Sequence, residues 1–396
     1  MSLPGPPIKV QESSLSKKVL IIANSGRMLA TSAHRANWTP LVIDRFGDQE
    51  TEQITLHNWV VNDLSRLCLE PIVNNIKHYF DVERLVYGSG FEAHLETLNW
   101  LSQQFIVWGN TFATFQRVQD KLFFFSTLQR LQIPFLETHF TQPRVVGSRW
   151  LVKPVSGEGG ERIHFYDSLE SIEDTVYWQR YQKGSVGSVL FVSNGKNVQA
   201  IGFNCQWVEG DQAKHPFVFS GIRHFPELSA EHCQQLLSWL NHLASAFSLV
   251  GLNSLDFIFA KGQLWVLEIN PRPSASLMLY DGYSQRKLFD HHVQGCLGYF
   301  PDLPVQPIDY CRGYQVLYAY YELFIPEQIE WPDWVLDKPQ SGVIIPINSP
   351  ICSIIAAEQD TERLVEMLKQ RARVVYQLLI YKEKVLSCNF MPVLIN

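Results

Sequence analysis

The sequence predicts an α/β protein, on three observations. Near the amino terminus a short apolar run, a small polar turn, a helical stretch and a second apolar run follow one another, the βαβ signature of a parallel sheet. Between residues 149 and 192, short β-rich runs surround a glycine-rich loop and leave little room for a long helix. Around residue 262, two β-rich runs close on each other as a hairpin.

Taken in order, residues 1–16 read as a loose tail. A buried strand over 19–23 leads through Asn24-Ser25-Gly26-Arg27 into a helix over 28–37 and a strand over 40–44. Further αβ units end in Leu85-Val86-Tyr87-Gly88-Ser89-Gly90 and in Phe105-Ile106-Val107-Trp108-Gly109-Asn110. Residues 17–110 are therefore expected to form an open parallel α/β domain. From 111 to 144 the pattern is helix, Ile133-Pro134, then an extended exit, with Phe123-Phe124-Phe125 read as core. Over 231–248, Leu236, Leu237, Leu240, Leu243 and Ala244 fall on one helical face. Past residue 305, strands are expected around 314–320 and 342–345, then a long helix near 360–380.

A chain of 396 residues exceeds one ordinary core, so two or three packed subdomains are expected. A hydrophobic fraction of 46% describes a folded chain, and a net charge of −6 argues against an extended nucleic-acid surface. Seven cysteines are scattered singly with no Cys-x-x-Cys, which disfavours disulfides and structural zinc and suits reduced thiols. The opening residues lack a signal-like apolar stretch, and runs such as 19–23 are far too short to span a bilayer. A cytoplasmic protein without membrane or nucleic-acid partners is expected.

The most informative stretch runs from Gly251 to Pro273. With Lys261-Gly262-Gln263 as a three-residue turn, 260 opposes 264, 258 opposes 266, and Asp256 opposes Glu268, with Cβ atoms roughly 5 Å apart. Asn270 lies two residues on and points the same way, among apolar neighbours Ile258, Leu264 and Val266. Two carboxylates in such a setting repel each other and resist burial as anions, so something positive must offset them. Two carboxylates and an amide oxygen suit Mg²⁺ (or Mn²⁺), which completes its shell with water and phosphate. A solvated polar strand end is the plainer alternative. Pro271 and Pro273 take the chain out of the sheet, so Arg272 stands beside this site or simply on the surface. Beside the site, its guanidinium suits a phosphate or carboxylate.

Lys153-Pro154-Val155-Ser156-Gly157-Glu158-Gly159-Gly160 leaves a strand and enters a glycine-rich loop, whose amides can close on phosphate oxygens while the lysine adds a point charge. No Gly-Lys-Ser/Thr follows, so it is not a Walker loop, and Asn24-Ser25-Gly26 lacks the later glycines of a dinucleotide fingerprint. Lys121 alone would pass for a solvated helix charge. The stretch 176–184 reads as a strand passing into a loop that offers backbone groups to a purine edge.

Taken together, Gln119-Asp120-Lys121, Val152-Lys153-Pro154 with Gly157-Glu158-Gly159-Gly160, Gln179-Arg180-Tyr181-Gln182-Lys183-Gly184, and Leu255-Asp256-Phe257 with Glu268-Ile269-Asn270-Pro271-Arg272 resemble the ATP-grasp superfamily in content and order. The resemblance implies an α+β ATP-grasp fold: the amino-terminal α/β domain over 17–110, ATP-grasp subdomains around a nucleotide cleft over 111–304 with a lid at about 149–192, and a carboxy-terminal β-rich domain over 305–396 similar to that of biotin carboxylase. It implies that Lys121 and Lys153 contact ATP phosphates, that Ser156, Gly157, Gly159 and Gly160 close over them, and that Gln179, Arg180 and Tyr181 line the adenine pocket. Asp256, Glu268 and Asn270 would hold magnesium, and Arg272 would act on phosphate or acyl phosphate. Arg180 stands where the family has an acid, and no ribose-binding acid is evident near Gly184-Ser185-Val186.

The implied activity is ATP-dependent joining of a small-molecule carboxylate to an amine through an acyl phosphate, with a homodimer one assembly open to it. Carboxylation through carboxyphosphate is the alternative enzyme reading, and a nucleotide-binding protein without chemistry is the alternative outside enzymes. A narrower resemblance, to ATP-grasp proteins described as carboligases related to biotin carboxylase, implies a role in one-carbon-carrier cofactor synthesis, since such proteins occur beside genes for tetrahydromethanopterin or methanofuran. Tyr87-Gly88-Ser89-Gly90-Phe91-Glu92, at a strand end, reads as either a substrate-side loop or a tight turn. Adjacent His291 and His292 would face different ways on a helix and are expected on the surface.

Overall fold

The computed structural model describes residues 17–143, 149–167, 175–210, 214–282, 287–300, 310–327 and 329–389, the last nine of these as backbone. The tail expected over 1–16 and the division expected at 304–305 lie outside the described residues.

The chain opens with β1 (Lys18–Ile22), α1 (Arg27–Arg35), β2 (Thr39–Asp44), α2 (Gln49–Ile54), β3 (His57–Val60), α3 (Arg66–Tyr79), β4 (Arg84–Tyr87), α4 (Leu95–Ser102) and β5 (Ile106–Trp108). The strands form one parallel sheet in the order β3-β2-β1-β4-β5. Strands buried on both faces must be apolar throughout, and Val19, Leu20, Ile21 and Ile22 are all fully buried. The winding reverses between β1 and β4, so the loops at 23–26 and 88–91 face each other across a crevice at the carboxyl ends of the strands. Ligands of open α/β sheets bind at such reversal points.

Two short helices follow, α5 (Phe112–Gln119) and α6 (Lys121–Arg130). Asp120 ends the first and caps the second, its Oδ1 accepting from the Phe123 amide at 3.0 Å. Strands β6 (Thr138–His139), β7 (Trp150–Pro154), β8 (His164–Phe165) and β9 (Val176–Arg180) form a small antiparallel sheet in the order β6-β9-β7-β8.

A second, larger sheet begins with β10 (Ser185–Asn194), β11 (Val198–Val208) and β12 (Phe219–His224). After α7 (Ala230–Phe247) come β13 (Val250–Ala260), β14 (Gln263–Asn270), one 3₁₀ turn over Ala275–Leu279 and α8 (Leu288–Cys296). The final segments are β15 (Cys311–Tyr318), β16 (Leu323–Phe324), β17 (Val335–Leu336), β18 (Ile344–Ile345), β19 (Pro350–Glu358) and α9 (Thr361–Asn389). Eight strands pair in the order β14-β13-β10-β11-β12-β15-β19-β17, and β16 with β18 makes a separate ribbon. Strand β10 belongs to the large sheet, and the small sheet ends at Arg180. The carboxy-terminal strands continue the large sheet, because β15 pairs with β12.

Helix α7 covers one face of that sheet. Its Leu236, Leu240, Leu243, Ala244 and Phe247 pack with Val189, Phe191, Leu255, Phe257, Val266 and Phe124. Truncating one such leucine to alanine costs about 2–5 kcal/mol, more than the helix-propensity differences among residues other than proline, so tertiary burial holds α7 in place. On the opposite face Leu190, Val192 and Leu252 meet α8 and the amino-terminal domain, while Ser188 and Asp256 pair farther along the same strands. Asn110 pins the domains together, donating to Asn253 Oδ1 at 2.7 Å and accepting from the Val250 amide at 2.8 Å.

Histidine 292, expected on the surface, is buried: its Nδ1 accepts from the Leu252 amide at 2.9 Å and its Nε2 lies 3.1 Å from the Trp108 carbonyl. Helix α8 packs against β13 where Gly251 has φ +66, and a Cβ there would sit 2.6 Å from the imidazole. Among the described residues no helix is long and apolar enough to cross a membrane. Cys68, Cys205, Cys233, Cys296, Cys311 and Cys352 are free thiols.

Candidate active site

The acidic ribbon is β13 and β14. Lys261 and Gly262 both have positive φ, +51° and +73°, and Ala260 pairs with Gln263. The turn thus has two residues, not the expected three, because a turn with both residues at positive φ matches the strands' own twist. A bulge then leaves Leu267 unpaired and restores Asp256 opposite Glu268. Leu264 and Val266 consequently lie on the far face, in the α7 core, and not beside the acids as expected. On the acids' side, Ile258 packs with Leu136, Trp265 and Leu267 as an apolar floor.

Asn270 Nδ2 donates to Asp256 Oδ2 at 3.1 Å, and Gln206 Nε2 donates to Oδ1 at 3.3 Å. Burial, and then the charge of Glu268, push the Asp256 carboxyl up to about 7 despite these two donors. Beyond Asp256 a buried polar row continues across the sheet: Tyr280 donates its hydroxyl to Asn204 at 2.6 Å, and Asn204 donates to the Ser188 hydroxyl at 3.3 Å. Lys121, placed by the Asp120 cap at the first position of α6, turns inward so that its Nζ lies 3.5 Å from Glu268 Oε2.

Lys153 leans in from the small sheet. It shares one face of β7 and β9 with Gln179, whose Oε1 accepts from Nζ at 2.9 Å and whose Nε2 donates to Thr138 at 3.2 Å. Desolvation is the largest influence on Lys153 and Lys121 adds to it; together they outweigh Glu268 and Asp256 and lower the ammonium to about 8. Two lysines facing two carboxylates between two sheets form a cleft of mixed charge.

The glycine-rich loop runs from the end of β7 to contacts with β12 and the amino-terminal domain. Gly160 has φ +79, and a Cβ there would lie 2.1 Å from the Phe217 carbonyl, so only glycine fits. The Phe219 amide donates to the Gly159 carbonyl at 2.9 Å, and Arg162 donates to the Ser156 carbonyl at 2.9 Å. Between Gly157 and Gly159, Glu158 reaches the amino-terminal domain: its Oε2 accepts from the Gly90 amide at 2.9 Å and its carboxylate also accepts from Asn24. Arg272 lies between this glutamate and a second one. Its Nε donates to Glu92 at 2.7 Å and its Nη2 to Glu158 at 3.3 Å. Burial works against the Arg272 charge, but Glu92 and Glu158 overcome it and hold the guanidinium firmly protonated.

Residues 118–276 match the family described as an ATP-grasp domain. The chain carries an ATP-grasp domain. Three solved structures share the wider fold. Biotin carboxylase from Campylobacter jejuni, as its β-γ-ATP complex, aligns with TM-score 0.70 at 14% identity, over 89% of this chain and 89% of that one. The biotin carboxylase domain dimer of 2-oxoglutarate carboxylase from Hydrogenobacter thermophilus, with MgADP and bicarbonate, aligns with TM-score 0.71 at 14% identity, over 90% and 89%. An L-amino acid ligase from Bacillus licheniformis aligns with TM-score 0.66 at 13% identity, over 90% and 96%.

Within the ATP-grasp domain, the residues expected as phosphate and metal contacts come together: Lys121, Lys153, Asp256, Glu268 and Asn270. Gln179, expected at the adenine pocket, joins them as the hydrogen-bond partner of Lys153. The Arg180 and Tyr181 amides donate to the carbonyls of Glu137 and Arg149, the Arg180 side chain lies 3.6 Å from Glu137, and the Tyr181 ring meets Phe165. Sequence reasoning assigned no role to Glu92, Glu158 or Gln206. Glu92 and Glu158 stood inside stretches it marked, whereas Gln206 reaches Asp256 through the pairing of three strands and left no linear signal.

The acidic ribbon fits a hard divalent ion. No three His, Cys, Asp or Glu side chains among the described residues gather to hold a metal by themselves. Two carboxylates and one amide oxygen, with Asp256 resisting its charge, match an ion that draws its other oxygens from water and phosphate.

Proposed function

We propose that this chain is an ADP-forming ligase that phosphorylates a carboxylate with ATP and passes the acyl group to an amine, releasing inorganic phosphate. The observation that supports it most is the convergence of Lys121, Lys153, Asp256 and Glu268 in one cleft, with Arg272 beyond them toward the sheet reversal. In this reading Asp256, Glu268 and Asn270 hold magnesium or manganese, which supplies neutralisation of the triphosphate's charge.

Lys121 and Lys153 bind phosphate oxygens, and Gln179 fixes the Lys153 ammonium so that little reorganisation is needed when charge shifts. The loop 156–160 covers the phosphates and excludes water. Ile258, Leu136 and Leu267 offer the base an apolar surface. Arg272 binds the carboxylate and then the acyl phosphate bidentately. Catalysis rests on positioning and charge, with no protein nucleophile. The substrates are a small-molecule acid and amine, a homodimer is the assembly proposed by analogy with the dimeric carboxylase domain, and a place in one-carbon-carrier cofactor synthesis rests on sequence resemblance alone.

Hydroxylamine tests the reading, because it captures an acyl phosphate whatever the natural amine is. Incubation with MgATP, hydroxylamine and a panel of carboxylic acids should yield one acyl hydroxamate in step with ADP. ADP release with bicarbonate and no amine would replace this reading by carboxyphosphate chemistry, which the likeness to two biotin carboxylases favours as the second choice. Nucleotide binding without ADP formation across the panel would end both.

A further inference from the structure

We infer that Glu158 is a resident occupant of the acid subsite: its carboxylate sits on the donors that receive the substrate's carboxylate, and the two exclude each other. The inference rests on the ligase reading. Three donors from three distant segments converge on this one side chain. They are the Asn24 amide after β1, the Gly90 backbone N–H after β4, which is shared with Glu92 Oε2 at 3.0 Å, and the Arg272 guanidinium after β14. Gly90 has φ +104, and a Cβ there would lie 2.7 Å from Asn24, so the approach that brings its N–H into the group admits glycine alone. The donors line the crevice where the parallel sheet reverses. A guanidinium, a backbone N–H and a side-chain amide aimed at one point are complementary to a carboxylate.

Glu158 is not a permanent member of this group as Glu92 is. Glu92 is buried and grips Arg272 Nε at 2.7 Å, whereas Glu158 sits on the outer nitrogen at 3.3 Å with a quarter of its side chain exposed. Gly157 and Gly159 flank it, both at positive φ, and a Cβ at Gly159 would meet nothing within 4 Å. The arm that carries the carboxylate is therefore unpacked on one side. Burial and the neighbouring Glu92 charge raise the Glu158 carboxyl to about 7, so its anion is held weakly for one with so many donors. A substrate carboxylate arriving with its own binding surface can take its place. Its arrival then detaches the glycine-rich loop from the amino-terminal domain and leaves the loop to settle on the phosphates, coupling acid binding to closure.

The test uses the full chain without nucleotide, with acetate as the carboxylate probe and chloride as the ionic-strength control. Glu158→Ala leaves a carboxylate-sized space on intact donors, so acetate should stabilise it saturably in a thermal titration. The wild type should need about tenfold more acetate for half the effect. Amides of 157–163 should exchange with deuterium about tenfold faster in Glu158→Gln than in wild type, and acetate should accelerate them in wild type only. Equal acetate requirements, no acetate effect on Glu158→Ala, or unchanged loop exchange in Glu158→Gln would each overturn the inference. Failure of the ligase reading shows separately, as absence of hydroxamate in the MgATP assay.

Discussion

Replacing Asp256 by asparagine should make the metal-free protein more stable while abolishing its response to magnesium–ATP. Burial and the facing Glu268 raise the Asp256 carboxyl from 3.8 to about 7. At about 1.4 kcal/mol per unit, holding the charged form costs about 4 kcal/mol at most, and partial exposure brings that to about 2 kcal/mol. The folded state binds this proton more tightly than the unfolded chain does. The penalty is therefore complete above pH 7 and fades as pH falls toward 3.8. Asparagine keeps an acceptor for Gln206 or Asn270 and ends the repulsion. With an unfolding entropy of about 2 cal/mol/K per residue over 396 residues, 2 kcal/mol raises Tm by about 2–3 °C. Differential scanning fluorimetry at pH 8 in EDTA measures that rise. Magnesium–ATP at a hundred times its Kd should add about 2.7 kcal/mol of stability to wild type, a shift of similar size, and nothing to Asp256→Asn. A variant that melts below wild type in EDTA, or keeps the nucleotide shift, refutes the electrostatic account of the site.

Two further outcomes follow from buried charges elsewhere. Burial holds His292 down to about 4, so the unfolded chain takes up a proton below pH 6.5 that the folded chain refuses. Stability should fall as pH drops through that window, by about 2 kcal/mol at pH 5 from this residue, and urea midpoints at pH 5 and 7.5 should show a smaller drop in His292→Asn. The buried ion pair of Arg27 with Asp337, 2.5 Å apart, ties the amino-terminal domain to the end of β17. Asp337→Ala should cost about 3–5 kcal/mol in urea unfolding by stranding the guanidinium, and Arg27→Met added to it should recover most of the loss.

What the sequence determined by itself is local. The βαβ opening, the glycine-flanked loop, the lysine before Pro154 and the opposition of Asp256 to Glu268 are written within short stretches, where periodicity and turn chemistry act. The opposition was legible even with the wrong turn, because a turn one residue shorter and a bulge one residue longer cancel at those two positions. Leu264 and Val266 lie between turn and bulge, so their face came out reversed. Strand β19, with Ile351, Cys352, Ser353, Ile354 and Ile355 in a run, lacks the alternation that marks a half-buried strand and is not among the strands the sequence predicts past residue 305. Tertiary structure alone decided that His292 is interior, that Gln179 serves Lys153, and that Glu92, Arg272 and Glu158 meet. Each of those contacts joins segments far apart in the chain, and their approach is set by which apolar faces pack together, a property no short stretch of sequence contains.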